Sequence, residues 1–171
     1  MVATKAEEFV RFLEGLASNR GPLAALRRSL AFHPGSFVPS YPYVEPFVRD
    51  YEGWQREAYY LVAGLFALHP FSGSKTLPEA MAELRITRKS ASIEARFVAL
   101  LDSDRDQLPD RLRHAVILVT RSQNMALDWV RLLTDVVEWF RPDRKIQREW
   151  ARAFYRAMGT QPTPAEEAVK V

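Results

Sequence analysis

Apolar residues recur along most of this chain at spacings of three and four, the mark of helices that bury one face. Phe9, Val10, Leu13, Leu16 and Ala17 form a first stripe, opened by the capping-box pattern Thr4-Lys5-Ala6-Glu7 and closed at Gly21-Pro22. Pro22 opens a second, short helix with Leu23, Leu26 and Leu30 inward. Phe47 to Leu68 predicts the longest helix, with Tyr51, Trp54, Ala58, Leu61, Val62, Leu65 and Leu68 buried. His69-Pro70 stops it, because the residue before proline disfavours the α region. A second capping box, Thr76-Leu77-Pro78-Glu79, starts a helix that carries Met81, Ala82 and Leu84 and ends on Arg85, Arg88 and Lys89.

The stretch Ser92 to Val119 predicts two helices and their turn, with Ile93, Phe97, Leu100 and Leu101 on one face and Leu112, Val116 and Val119 on the next. Pro109 falls in a first helical turn, where its missing N–H has no intrahelical partner to lose. Two further stripes follow: Trp129, Leu132, Leu133, Val136 and Phe140 within Asp128 to Phe140, and Ile146, Trp150, Phe154 and Ala157 within Asp143 to Met158. Strand-like alternation is absent. The pattern therefore predicts an all-α fold of seven or eight helices in two bundled lobes, 1–75 and 76–158, with a disordered tail over 159–171. Two segments escape the helical period. His33 to Pro46 holds four prolines and a glycine and predicts an irregular loop whose Phe37, Tyr41 and Tyr43 pack onto the body; Phe71 to Lys75 predicts a flexible connector.

Composition agrees with a packed domain. The 171 residues are 47% hydrophobic, and cysteine is absent, which excludes disulfides, thiolate zinc sites and cysteine nucleophiles and fits a reducing, cytoplasmic setting. No run reaches the length of a membrane span, and the N-terminus lacks the apolar core of a signal peptide. The three histidines are scattered. His33 and His69 each precede a proline at a helix end, where a cation suits the terminal carbonyls, and His114 lies beside Arg113 on a polar face. The acidic turn Asp102-Ser103-Asp104-Arg105-Asp106 lacks the glycine and the bidentate glutamate of a calcium loop; it predicts capping and ion pairs with Arg96, Arg105 and Arg111. No phosphate loop, dinucleotide fingerprint or nucleophile elbow occurs, so the expectation is a protein without catalysis, metal or cofactor.

Charge changes the picture. The net charge is only +3, but it is unevenly spread. Arg20, Arg27 and Arg28 lie in a stretch without acids up to Phe37, and Arg141 to Arg156 holds six cations against two acids. Within it Arg144, Arg148, Arg152 and Arg156 fall four apart, predicting a positive ridge about 18 Å long, with Lys145 beside it. Like charges at that spacing repel by a few tenths of a kcal/mol per pair, so an anion is expected to compensate them. Phosphates suit such a surface, since they are held by many moderate cationic contacts.

Several runs in order, G-P-L-A-A-L-R-R, L-F-A-L-H-P, L-P-E-A-M-A-E-L, S-I-E-A-R-F-V-A-L-L-D-S-D-R-D-Q-L-P-D-R-L-R-H-A-V, D-W-V-R-L-L and R-E-W-A-R-A-F-Y, resemble the CasB small subunit of the type I-E CRISPR surveillance complex, Cascade. The resemblance spans Glu8 to Tyr155. It implies an all-helical, non-catalytic subunit present in two copies beside the backbone and large subunits. It also implies contacts with the guide RNA–target DNA region and with the displaced single strand, which stabilise the R-loop. Basic residues serve this in the family, and the matching positions are Arg27, Arg28, Arg113, Arg144 and Arg148. His114 stands where some relatives carry a second cation. A helical adaptor whose arginines meet acidic protein surfaces is the alternative.

Overall fold

The computed structural model describes residues 2–123 and 125–159; the tail expected over 159–171 lies outside them except for Gly159, which is the last residue of a helix. The described residues form nine α-helices and one short strand. The first two helices are α1 (Lys5–Gly15) and α2 (Arg20–Ser29). The Thr4 hydroxyl accepts the Glu7 N–H at 3.1 Å, as the first capping box predicts. However, α1 ends at Gly15, and Gly21-Pro22 lies inside the first turn of α2 rather than between two helices. That turn tolerates both residues because its N–H groups have no carbonyl partner in the helix.

The segment 33–46 is irregular only up to Phe37. It winds through a 3-10 turn (Val38–Ser40), a single-turn helix α3 (Tyr41–Val44) and a second 3-10 turn (Glu45–Phe47). Three of its prolines, which argued against helix, each stand in the first turn of one of these pieces, the position where proline is accepted. Tyr41 and Tyr43 do pack against the core, joined by Phe47, whereas Phe37 stacks on Phe32 instead. The long helix α4 runs Gly53–Leu68, beginning six residues later than expected, because Tyr51 closes a turn onto the Val48 carbonyl and Glu52 is extended. Every residue from Ala58 to Ala67 is buried. An α-helix that is apolar all round lies at the centre of a bundle, and α2, α7 and α8 (below) surround this one. Gly64 permits the close crossing with α2, since a Cβ there would stand 2.6 Å from the Leu30 side chain.

The expected connector holds the strand β1 (Ser72–Lys75), which bridges in parallel to Leu127, and the Lys75 carbonyl accepts the Asp128 N–H at 2.9 Å. Helix α5 (Leu77–Arg88) follows, and its capping box does not form: the Thr76 hydroxyl accepts no bond. Pro78 removes one of the two N–H groups that such a cap addresses. Helices α6 (Ala91–Leu101) and α7 (Leu108–Gln123) form the anticipated hairpin, with Ile93, Phe97, Leu100, Leu112, Val116 and Val119 buried. Its turn is a reciprocal cap: Asp104 Oδ1 accepts the N–H groups of Asp106 and Gln107, and Gln107 Oε1 accepts the Asp104 N–H.

Helix α8 (Trp129–Val137) is capped by the Asp128 carboxylate on the Arg131 N–H, and α9 (Lys145–Gly159) closes the fold. α8 packs on α4 and α1, whereas α9 packs on α5 and α6. Trp54 ties α4 to α8 through a 2.7 Å bond from its indole N–H to the Val136 carbonyl. Phe97 and Phe154 stack at 4.2 Å between α6 and α9. Under α9 the buried Asp135 carboxylate accepts the Trp150 indole N–H at 2.7 Å and faces Arg131 at 3.2 Å. Burial pushes its carboxyl pKa up, against the opposing pull of those two donors.

Candidate nucleic-acid interface

The arginines separate into those with carboxylate partners and those without. Arg56 meets Glu45, Arg85 meets Glu94, Arg105 meets Glu57, Arg131 meets Asp135, and Arg141 meets Asp143. Arg20, Arg27, Arg28, Arg113, Arg148, Arg152 and Arg156 have no ion pair among the described residues, and all but the half-buried Arg113 are exposed.

One group sits on α2. Arg20 and Arg27 are seven residues apart and hence within about 20° of one another around the helix, while Arg28 points away from the buried stripe of Leu23 and Leu26. Arg27 and Arg28 occupy the last turn, where the helix dipole welcomes cations; Arg20 occupies the first, where it does not, and no acid offsets it there. The end of α2 lies against the start of α7, because Ser29, Leu30, Phe32 and Pro34 line one cleft with Pro109, Asp110 and Arg113. Tertiary packing thus brings Arg113 to the Arg27–Arg28 end of α2, some eighty-five residues away in sequence. Asp110 is the only carboxylate lining this cleft among the described residues.

The other group is on α9, and its membership differs from the expected ridge. Arg144 stands before the helix in left-handed backbone geometry (φ 52°). Its guanidinium donates to the Leu101 carbonyl at the end of α6, 2.9 Å away. Lys145 takes its place on the outer face, about 20° from Arg152 around the axis, so Lys145, Arg148, Arg152 and Arg156 form a ridge about 16 Å long opposite Ile146, Trp150 and Phe154. Lys145 reaches Glu149 only at 4.0 Å. Lys145 and Arg148 oppose the dipole of α9, whose first turn holds no acid. Helix stability does not account for cations at that end.

Other expectations shift. The acidic turn does not pair with Arg96, Arg105 or Arg111. Arg105 crosses to Glu57 and lies 5.8 Å from the Trp54 ring; Arg111 caps α6 through the Ala99 carbonyl at 2.8 Å; Arg96 lines a groove with Arg111 and His114. The Asp104 carboxylate serves the turn's backbone instead, which is the shorter reach. His33 also meets Glu57 rather than a helix end, while His69 is the C-cap residue of α4. No group of three or more His, Asp or Glu among the described residues is placed to hold a metal ion, and no helix among them is long and apolar enough to cross a membrane. Sequence reasoning passed over Phe32, which is large, aromatic and 52% exposed beside the Arg113 cleft; a lone phenylalanine after a helix shows its exposure only in three dimensions.

The described residues thus form an all-α bundle that leaves arginines without carboxylate partners on α2, α7 and α9. The sequence model of the family described as CRISPR-associated protein Cse2 matches residues 22–155. CRISPR-associated protein Cse2 of Thermus thermophilus is 44% identical over 154 residues, which cover 88% of either chain. The crystal structure of CasB from Thermus thermophilus is similar at a TM-score of 0.80 and 42% identity, over 90% of this chain and 99% of that one. M. ruber CasB is similar at a TM-score of 0.82 and 36% identity, over 99% and 100%. A chain of a CRISPR RNA-guided surveillance complex shares the fold at 23% identity, with a TM-score of 0.78 over 91% and 94%. The chain belongs to the CRISPR-associated Cse2 family, whose solved members are also called CasB.

Proposed function

We propose that this chain is the non-catalytic small subunit of a type I-E Cascade surveillance complex in the cytoplasm, present in two copies beside the backbone and large subunits. There its two arginine groups hold the displaced DNA strand and the guide RNA–target DNA region through their phosphates. The observation that carries this reading is the set of arginines without carboxylate partners on α2, α7 and α9, in a chain whose remaining basic side chains include many that are paired. Family membership and the shared fold of a surveillance-complex chain support the setting. Forming an R-loop exchanges one duplex for another of similar stability, so sequence-blind backbone contacts are enough to tip it.

Fluorescence anisotropy with an oligo-dT strand across a salt series tests this. Binding whose log–log salt slope corresponds to several neutralised phosphates, at ~0.7 per phosphate on a single strand, is expected. Reversing Arg27 and Arg28, or Arg148 and Arg152, to Glu should weaken binding for any sequence while leaving the helical circular dichroism intact. A flat salt response, or no retention at low salt, would turn the reading toward an adaptor whose arginines meet acidic protein surfaces.

A further inference from the structure

Beside the α2 arginines lies an aromatic pair that the phosphate reading leaves unused. Phe32 follows the last turn of α2, held by a bond from its N–H to the Ser29 carbonyl, and its ring stacks on Phe37 at 4.9 Å and 15°. With one face against Phe37, Phe32 is still 52% exposed, and it lines the cleft shared with Arg113. Its support is rigid: Gly35, between the two phenylalanines, accepts the Tyr41 hydroxyl at 2.7 Å and Arg56 at 3.3 Å, and Ser36 bonds back to His33. A flat apolar ring fixed in water, a few residues from Arg27 and Arg28 and across a cleft from Arg113, combines the two parts of a single-strand site: cations for phosphates and a π-face for bases.

We infer that Phe32, backed by Phe37, is a stacking platform for an unpaired base of a single strand whose phosphates run along Arg27, Arg28 and Arg113. The inference rests on the proposed nucleic-acid role and adds a base contact to it. Charge favours this occupant over a protein partner, because among the described residues no carboxylate apart from Asp110 lines the cleft and the neighbouring arginines are unpaired. Every base presents a π-face, so the contact stays blind to sequence.

The test uses the full chain with two probes, fluorescein-labelled dT20 and an abasic strand with the same number of phosphates. Phe32→Ala should weaken dT20 binding about tenfold, the span of one lost stack, leave the salt slope unchanged and leave abasic binding unaltered. Phe32→Trp should preserve dT20 binding and show fluorescence quenching on stacking, whereas Phe32→Leu, apolar but without a π-face, should behave as Phe32→Ala does. Equal dT20 binding by wild type and Phe32→Ala overturns the inference while leaving the phosphate contacts standing; absence of dT20 binding by the wild type overturns both. Full rescue by Phe32→Leu, or a loss of self-association on sedimentation with dT20 affinity intact, would assign the pair to an apolar protein contact and overturn the inference as well.

Discussion

The Arg144 guanidinium donates to the carbonyl of Leu101 at 2.9 Å, tying the start of α9 to the end of α6 across forty-three residues. The last carbonyls of a helix lack intrahelical donors, and a cation is the best partner they can find. Arg144 thus commits its charge to the fold, in contrast to Arg148, one turn on, which faces solvent.

Replacing Arg144 separates its two costs. R144A removes the bond and keeps a side chain in left-handed geometry, and a loss of about 1 kcal/mol in urea unfolding is expected. R144G loses the same bond but relieves the backbone, so it should unfold at a higher midpoint than R144A. The order R144A below R144G below wild type is the expected result; equal midpoints for both variants would remove the backbone argument.

The two arginine groups ride on separate helices, so their effects on binding should add. On a single strand each neutralised phosphate contributes ~0.7 to the log–log salt slope. R27A with R28A should lower the slope by about 1.4 if each touches one phosphate, R148A with R152A by a similar amount, and the four together by the sum. A slope indifferent to one pair would confine the strand to the other helix.

A side chain at Gly35 would have to push the Arg56 guanidinium aside. The glycine's φ is +85°, and an added Cβ would lie 2.5 Å from the Arg56 guanidinium. Arg56 is held there by Glu45 at 2.9 Å, and Glu45 also accepts the Tyr60 hydroxyl at 2.5 Å. G35A is expected to lower stability by about 2 kcal/mol, through left-handed strain and displacement of a partly buried ion pair. Differential scanning calorimetry measures the loss, and dT20 binding should fall with it if Phe32 and Phe37 need this support.

Asp135 makes stability depend on pH. Burial raises its folded carboxyl pKa above the unfolded value, so the folded state holds this proton the more tightly. Its contribution is complete below the ordinary carboxylate range and is lost as pH rises through the raised folded value. D135N cannot titrate, and its amide oxygen can still accept the Trp150 N–H. The stability of D135N relative to wild type should therefore increase between about pH 4 and pH 7 in urea unfolding, and a constant difference would show that the two donors cancel the burial effect.

Much of the helical inventory was legible because burial of one face writes a period into the chain: the stripes at Ile93, Phe97 and Leu100, and at Leu132, Leu133 and Val136, are found where spacing predicts. Proline misled the 33–46 segment, since the same residue breaks a helix interior and opens a helix start, and only the neighbouring turns decide between them. Charge partners were the least legible feature. Arg105 stands among Asp102, Asp104 and Asp106 in sequence but reaches Glu57, forty-eight residues away.

By itself the sequence determined the all-α class, the α6–α7 hairpin, the basic character of α2 and α9, and the family resemblance, because periodicity, capping and local charge are properties of neighbours along the chain. The tertiary structure alone decided which arginines remain unpaired, that Arg144 leaves the ridge and Lys145 joins it, that Arg113 faces the end of α2, and that Phe32 stays in solvent on Phe37. Each of these depends on which groups two helices bring within a few ångströms, and that follows from how their buried faces pack, which no local pattern records.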